Sequence, residues 1–267
     1  MTHILLPTDF SDTALKAAHF AMDLYGTSDV RYTLVNSTPV KASADPLLPD
    51  LTRLMEQQSL SGLRQAERRL RKRPGHVYVA KVSTYAALPV ALNNLAERKG
   101  ADLIVMGTQG KSSKRLFGSN ASTVVKKTLL PVITVPAHWQ PEPVRRILLP
   151  MDNEAIDERT FLPLRDLVHR CRAEVVVAHV RTNAVGARKG VDRAAMGKAL
   201  RGIKHSYITA HGPDVVDTMN ELAAGGRIQL VAMVQRKRSF LGGLFHRSST
   251  RQMALHTKLP LLVLRQG

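Results

Sequence analysis

Two rhythms of apolar positions alternate along this chain: unbroken apolar runs, and patterns with helical spacing. ILLP at residues 4–7 predicts a strand. Beyond it, Ala14, Leu15, Ala18, Phe20, Ala21 and Leu24 recur at helical spacing. Ser11 suits the N-cap of that helix, which runs through Tyr25 to a stop at Gly26. RYTLVNS at 31–37 is a second strand, and KASADPLLPD at 41–50 is a loop long enough to cover something. Leu51 to Arg73 reads as a long polar helix, and HVYVAKV at 76–82 as a third strand. A helix from Leu88 to Lys99 stops at Gly100, and ADLIVM at 101–106 is the fourth strand. A glycine-rich loop, a helix from Asn120 to Lys127 and a closing strand within LLPVITV at 129–135 complete the series. Short continuous apolar strands alternating with helices imply a parallel sheet covered on both faces. Such sheets take ligands at the carboxyl ends of their strands, near the point where strand order reverses.

The same series is written twice. ILLPTD at 4–9 returns as ILLPMD at 147–152, ADLIVM at 101–106 as IQLVAM at 228–233, and LLPVITV at 129–135 as KLPLLVL at 258–264. The second series runs through a helix near 158–171, AEVVVAHV at 173–180, a segment near 190–201, a strand near 203–209 and a helix at 214–224. After IQLVAMV come a loop, a short helix and the closing strand. AHWQPEPVRR at 137–146, with two prolines and the only tryptophan, marks the boundary. The domains expected are 1–137 and 146–267, joined by a linker at 138–145.

Composition narrows the class. The 267 residues are 44% hydrophobic and only 4% aromatic, so the cores rest on Leu, Val, Ala, Ile and Met. No apolar run approaches the ~20 residues that cross a bilayer. The opening MTHILLPTDF reads as strand and turn, with no signal peptide expected. The one cysteine, Cys171, excludes an internal disulfide, fits a reducing cytoplasm and reads as structural. The net charge of +18 predicts attraction to polyanions. Its densest runs, RRLRKR at 68–73 and RKR at 236–238, lack interleaved aromatics, and no zinc-finger, RRM or KH signature accompanies them. A solvated helix face explains RRLRKR, and no specific nucleic-acid or membrane partner is expected. The histidines, among them His205, His211, His246 and His256, lack metal-ligand spacing. GxxxxGK[ST], HExxH and GxSxG are all absent.

The chemistry concentrates in GTQGKSSKRLFGS at 107–119. Glycines let a backbone turn through positive φ and bring N–H groups close to phosphate oxygens. A helix start adds unpaired N–H donors and partial positive charge. Ser119 and Asn120 suit both the cap of that helix and a phosphate, with Lys111, Lys114 and Arg115 nearby. A plain turn at Gly107 and Gly110, and plain helix caps at Asp9 and Ser119, are the alternatives.

An opening I-L-x-P-x-D, an M-G-x-x-G loop after strand four, Gly-Ser at a helix start and a closing strand that begins at Pro resemble the universal stress protein (UspA-type) family. Two copies in one chain resemble its tandem-domain members. The resemblance covers nearly the whole chain. It implies an α/β fold of two tandem Rossmann-like (adenine nucleotide α-hydrolase-like) domains, each a five-stranded parallel sheet with helices on both faces. The nucleotide-binding branch carries G-2x-G-9x-G-[ST]. Gly107, Gly110, Gly118 and Ser119 match its ends, but the spacer KSSKRLF has seven residues instead of nine. Gly118 precedes Pro131 by 13 residues and Arg247 precedes Pro260 by 13, whereas Met106 to Gly118 is 12 and Met233 to Arg247 is 14. The second half therefore keeps the loop length but has Val234, Lys237 and Arg247 where glycines would stand, with Ser248 at the hydroxyl position.

The resemblance implies that Asp9 meets the ribose of an adenine nucleotide and that the end of strand two, near Ser37, offers backbone groups to adenine. Gly107, Gly110, Gly118, Ser119 and Asn120 would hold the phosphates of ATP, with or without Mg²⁺. Side chains in the second loop disfavour backbone binding there. Asp152 alone cannot make a site, although Arg236, Lys237, Arg238, His246 and Arg247 could hold an anion. A degenerate domain kept for packing is the simpler reading. In this family, closing strands resemble edge strands that pair across an interface, so PVITV and PLLVL are expected to form a pseudo-dimer within one chain, with a further homodimer open. The expected function is nucleotide binding in a stress response without efficient catalysis. A stress protein that binds no nucleotide and acts as an interaction module is the alternative.

Overall fold

The computed structural model describes residues 1–39, 48–72, 77–109, 118–151, 156–181, 192–235 and 258–266. The chain divides into two compact units, Met1–Ala137 and His138–Gly267. Each is a five-stranded parallel sheet covered by helices, an α/β Rossmann-like arrangement. Among the described residues no helix is long and apolar enough to cross a membrane.

In the first unit the elements run β1 (Thr2–Pro7), α1 (Asp12–Tyr25), β2 (Val30–Ser37), α2 (Leu48–Leu70), β3 (Tyr78–Thr84), α3 (Leu88–Lys99), β4 (Leu103–Gly107), α4 (Ser119–Lys127) and β5 (Val132–Val135). Strand order is β3-β2-β1-β4-β5, with Leu6 opposite Leu34, Ile4 opposite Leu103 and Ile104 opposite Val132. The chain winds outward from β1 toward β3, then returns to the other side of β1 with β4. That reversal opens a crevice beyond the carboxyl ends of β1 and β4. Ile4, Leu5, Leu6 and Ile104 are at most 1% exposed, which explains why these strands read as unbroken apolar runs. Helix α1 starts where expected: Ser11 Oγ accepts the Ala14 N–H at 3.1 Å, and Gly26 closes the helix at φ +74°. Helix α2 begins at Leu48, inside the stretch read as a loop; residues 40–47 lie outside the described residues.

The second unit repeats the plan with β6 (Arg146–Pro150), a 3₁₀ turn (Glu158–Phe161), α5 (Leu162–Cys171), β7 (Glu174–Arg181), α6 (Arg193–Ala199), β8 (His205–His211), α7 (Val215–Gly225), β9 (Leu230–Gln235) and β10 (Leu261–Arg265). Its order is β10-β9-β6-β7-β8, all parallel. The helix expected over 158–171 breaks in two. Asp157 caps a 3₁₀ turn through the Arg159 N–H at 2.9 Å, and Pro163, which has no N–H to give, is tolerated only in the first turn of the α-helix that follows. Strand β8 lies two residues later than 203–209. The expected linker is packed, with Trp139 and Val144 each 4% exposed. The expected short helix before β10 falls outside the described residues.

Candidate functional site

A cleft of ≈ 300 Å³ sits at the carboxyl ends of β1, β2 and β4 in the first unit. Its walls include Asp9, Ser37, Gly107, Gly118, Ser119 and Asn120, which come from four separate elements and turns. The sheet thus brings together six of the seven residues named from the sequence. Gly110, with Lys111, Lys114 and Arg115, lies outside the described residues.

The floor begins with the turn after β1. Asp9 Oδ1 accepts the Ser11 N–H at 3.1 Å, so Asp9 does hold the entry to α1, as the plain reading has it, while also lining the cleft. Behind it lies a buried polar chain that sequence reasoning missed. Asn36 Nδ2 donates to the Thr8 carbonyl at 2.7 Å, and Asn36 Oδ1 accepts from Ser59 Oγ at 2.7 Å. Ser59 Oγ in turn lies 2.7 Å from Ser83 Oγ. This ties the Thr8–Asp9 turn to β2, α2 and β3, with each bond worth about 1 kcal/mol net. Its only sequence trace is a polar residue at the end of an apolar run.

Ser37 stands two residues past Val35, the last residue paired on the β1 side. The Val35 carbonyl accepts the Thr8 N–H at 2.9 Å, and the ladder with β1 ends at Pro7 opposite Val35. Alternate residues of a parallel strand direct their main-chain groups to the same side. The N–H and C=O of Ser37 therefore face the cleft side, where β1 has already ended. Its hydroxyl is spent on the Ala86 carbonyl at 2.7 Å.

The two described glycines act differently from the positive-φ hinges expected. Among described glycines, positive φ occurs only at Gly26, Gly100 and Gly202. Gly107 ends β4, where a Cβ would come within 2.7 Å of Thr13 Cγ2 and 3.0 Å of the Thr13 carbonyl oxygen. Its hydrogen lets the first turn of α1 press against β4. Gly118 is extended at φ −70° and ψ 160° and is the N-cap of α4. Its N–H is not open to phosphate, because it donates to the Thr108 carbonyl at 2.5 Å. Ser119 is thus the first helical residue and not the cap, which corrects the sequence reading.

With a cap that has no side chain, α4 opens with N–H groups at Ser119, Asn120 and Ala121 that have no partner among the described residues, since the first intrahelical bond is Ser122 N–H to the Gly118 carbonyl at 3.1 Å. All three residues line the cleft. Such a helix start carries partial positive charge and favours an anion. Thr108, also missed, adds a hydroxyl: it is 3% exposed, lines the cleft, and its Oγ1 has no partner among the described residues. An orphaned buried hydroxyl costs about 1–3 kcal/mol unless something bonds to it.

The second unit keeps one part of this design. His179 stands where Asn36 does, and its Nδ1 donates to the Met151 carbonyl at 3.2 Å. Asp152 and residues 236–257 lie outside the described residues. Val234, at the first glycine position, belongs to β9.

Comparison with known proteins gives a consistent result. The family model described as the universal stress protein family matches residues 1–136. A universal stress protein of Methanocaldococcus jannaschii is 31% identical over 141 residues, 49% of this chain and 80% of that protein. Universal stress protein G of Salmonella typhimurium is 29% identical over 143 residues, 49% of this chain and 96% of that protein. Over the full length, the crystal structure of a universal stress protein from Archaeoglobus fulgidus shares the fold, with TM-score 0.69 at 16% identity over 99% of this chain and 98% of that one. With the opening strand, the Gly-Ser helix start and the rim cleft lying inside the matched span, the chain belongs to the universal stress protein family.

Proposed function

We propose that the first unit binds an adenine nucleotide, ATP or a close relative, in the cleft beyond β1 and β4. The observation that carries this reading is the convergence on one ≈ 300 Å³ cleft of three kinds of group. A carboxylate, Asp9, suits ribose hydroxyls. The main-chain groups of Ser37 suit the edge of a purine. The bare N–H groups of Ser119–Ala121, with the Thr108 hydroxyl, suit phosphate oxygens. The volume is at the lower end of the roughly 300–1,000 Å³ of small-molecule sites.

Binding regulates the protein and does not drive turnover. Asp9 is the only ionisable side chain among the described lining residues, and it already holds the Ser11 N–H. It is poorly placed to activate a water as well. Steady phosphate or AMP release at useful rates is the result that would make the protein an enzyme. The proposed setting is a reducing cytoplasm, in which Cys171 stays a thiol.

Isothermal titration of the full chain with Mg-ATP tests the proposal. One site per chain is expected. Gly118→Val should abolish the heat and keep the fold, since φ −70° and ψ 160° accept any residue, with a modest drop in thermal midpoint because valine is a poorer N-cap than glycine. Unchanged affinity in that variant moves the site elsewhere. No heat from the parent protein favours the interaction-module reading.

A further inference from the structure

We infer that the carboxyl end of α2 is a docking face for the phosphate backbone of duplex DNA, gripped without regard to base sequence. The inference is independent of the nucleotide cleft. The run RRLRKR, read from sequence as a solvated helix face, resolves into two sets of side chains. Leu63 and Leu70 are 0% exposed and fix the helix to the sheet. Arg64, Arg68, Arg71 and Lys72 are exposed. At 3.6 residues per turn these four fall within about 100° of arc and about 12 Å along the axis. The Arg71 N–H still donates to the Glu67 carbonyl at 2.9 Å, so helical geometry reaches Arg71, and at Lys72 the turn tightens to a 3.4 Å bond to the Arg69 carbonyl.

The patch is not neutralised. Its own acid, Glu67, has a side chain only 13% exposed and is occupied by Lys81 and by Arg71 at 2.8 Å. Burial alone would raise the Glu67 carboxyl, but Lys81 and Arg71 hold it below the ordinary value. The next acid, Asp12, lies 3.8 Å from Arg69, off the stripe. Counting Arg64, Arg68, Arg69, Arg71, Lys72 and Lys81 against Glu67 and Asp12, the local sum is six minus two, +4. This is a concentrated share of the +18 carried by the whole chain.

Three features select duplex DNA. Three of the four cations of the stripe are arginine, as is the exposed Arg69 beside it, and the planar fork of arginine grips phosphate in bidentate fashion. From Arg64 to Lys72 every exposed residue is polar, and Leu63 and Leu70 are spent on the protein core, so the stripe itself offers nothing to sink into a bilayer, the exposed Leu60 lying one turn before it. The stripe also carries no aromatic on which unpaired bases could stack, which disfavours single strands. What remains is backbone contact, which positions a duplex without reading it.

Fluorescence anisotropy of the full chain with a short mixed-sequence DNA duplex, titrated between roughly 50 and 200 mM salt, tests this. Four neutralised phosphates predict a log–log slope of about −3.6, and Arg64→Ala with Arg68→Ala should bring it to about −1.8. The Arg64→Lys, Arg68→Lys pair should keep the slope. Arg159→Ala with Arg201→Ala, which removes two exposed charges in the second unit, should change nothing. The thermal midpoint and the Mg-ATP heat should not change in any variant. The inference is overturned by absence of binding, or by equal loss in the Arg159/Arg201 pair, which would mean diffuse attraction. Tighter binding to single strands or to phosphatidylserine vesicles would also overturn it.

Discussion

Gly107 and Gly118 are equivalent letters in the sequence motif, yet they tolerate opposite changes. A methyl group at Gly107 must displace the start of α1, so Gly107→Ala should destabilise the fold by about 1–3 kcal/mol in urea melts. Gly118→Val should abolish binding at the cost of a weaker N-cap, about 1 kcal/mol. The motif showed where glycine is wanted but not why, because the reason for Gly107 is Thr13, a residue far away in sequence. The hydroxyl of Thr108 and the amide of Asn36 were illegible for the same cause: their roles depend on which strands end side by side. His3 illustrates the pH side of this scale. It is 2% exposed, with Nε2 2.8 Å from Thr33 Oγ1 and Nδ1 2.9 Å from an Arg31 nitrogen. Burial, reinforced by Arg31, holds its imidazole below the ordinary value against the pull of the Lys99 carbonyl. A depressed folded value means the unfolded chain binds the proton more readily. Stability from this group is therefore complete above about pH 6.5 and is lost as pH falls through the folded value. His3→Gln should flatten that part of the urea-midpoint profile.

Elements were more legible than their ends. Unbroken apolar runs marked the central strands β1, β4, β6 and β9 because these are buried on both faces, and Ser11 and Gly26 marked α1 because both caps are local chemistry. Ser11→Ala should cost about 0.5–2 kcal/mol by thermal melt, with Asp9 still holding the Ser11 N–H. Where an end depends on hydrogen bonding between distant segments, pattern alone misplaced it. Ser119 looked like a cap, but the Thr108 carbonyl draws in the Gly118 N–H and shifts the cap back by one residue. The start of α5 became a 3₁₀ turn because Asp157 caps five residues ahead of Leu162, too early for Pro163 to sit in the first turn of one continuous helix.

At the scale of the whole molecule the two halves solve the same problems with different residues. Asp102 accepts the His3 N–H at 2.8 Å in the first unit, and Gln229 accepts the Arg146 N–H at 2.9 Å in the second. Asn36 braces the turn after β1, and His179 the turn after β6. The duplication was plain in the apolar runs, while these braces were hidden because the residue types differ and only the geometry repeats. Thr108 and Gly118 carry a further implication. Their hydrogen bond joins the residue after β4 to the N-cap of α4 directly, a tie that does not run through residues 110–117. Restoring the two missing residues between Ser113 and Lys114 should change closure entropy by only about 0.2 kcal/mol. The melting temperature should therefore stay put while ligand preference shifts. A tied base of this sort lets a lineage lengthen or trim the connection between β4 and α4 without refolding the sheet beneath it.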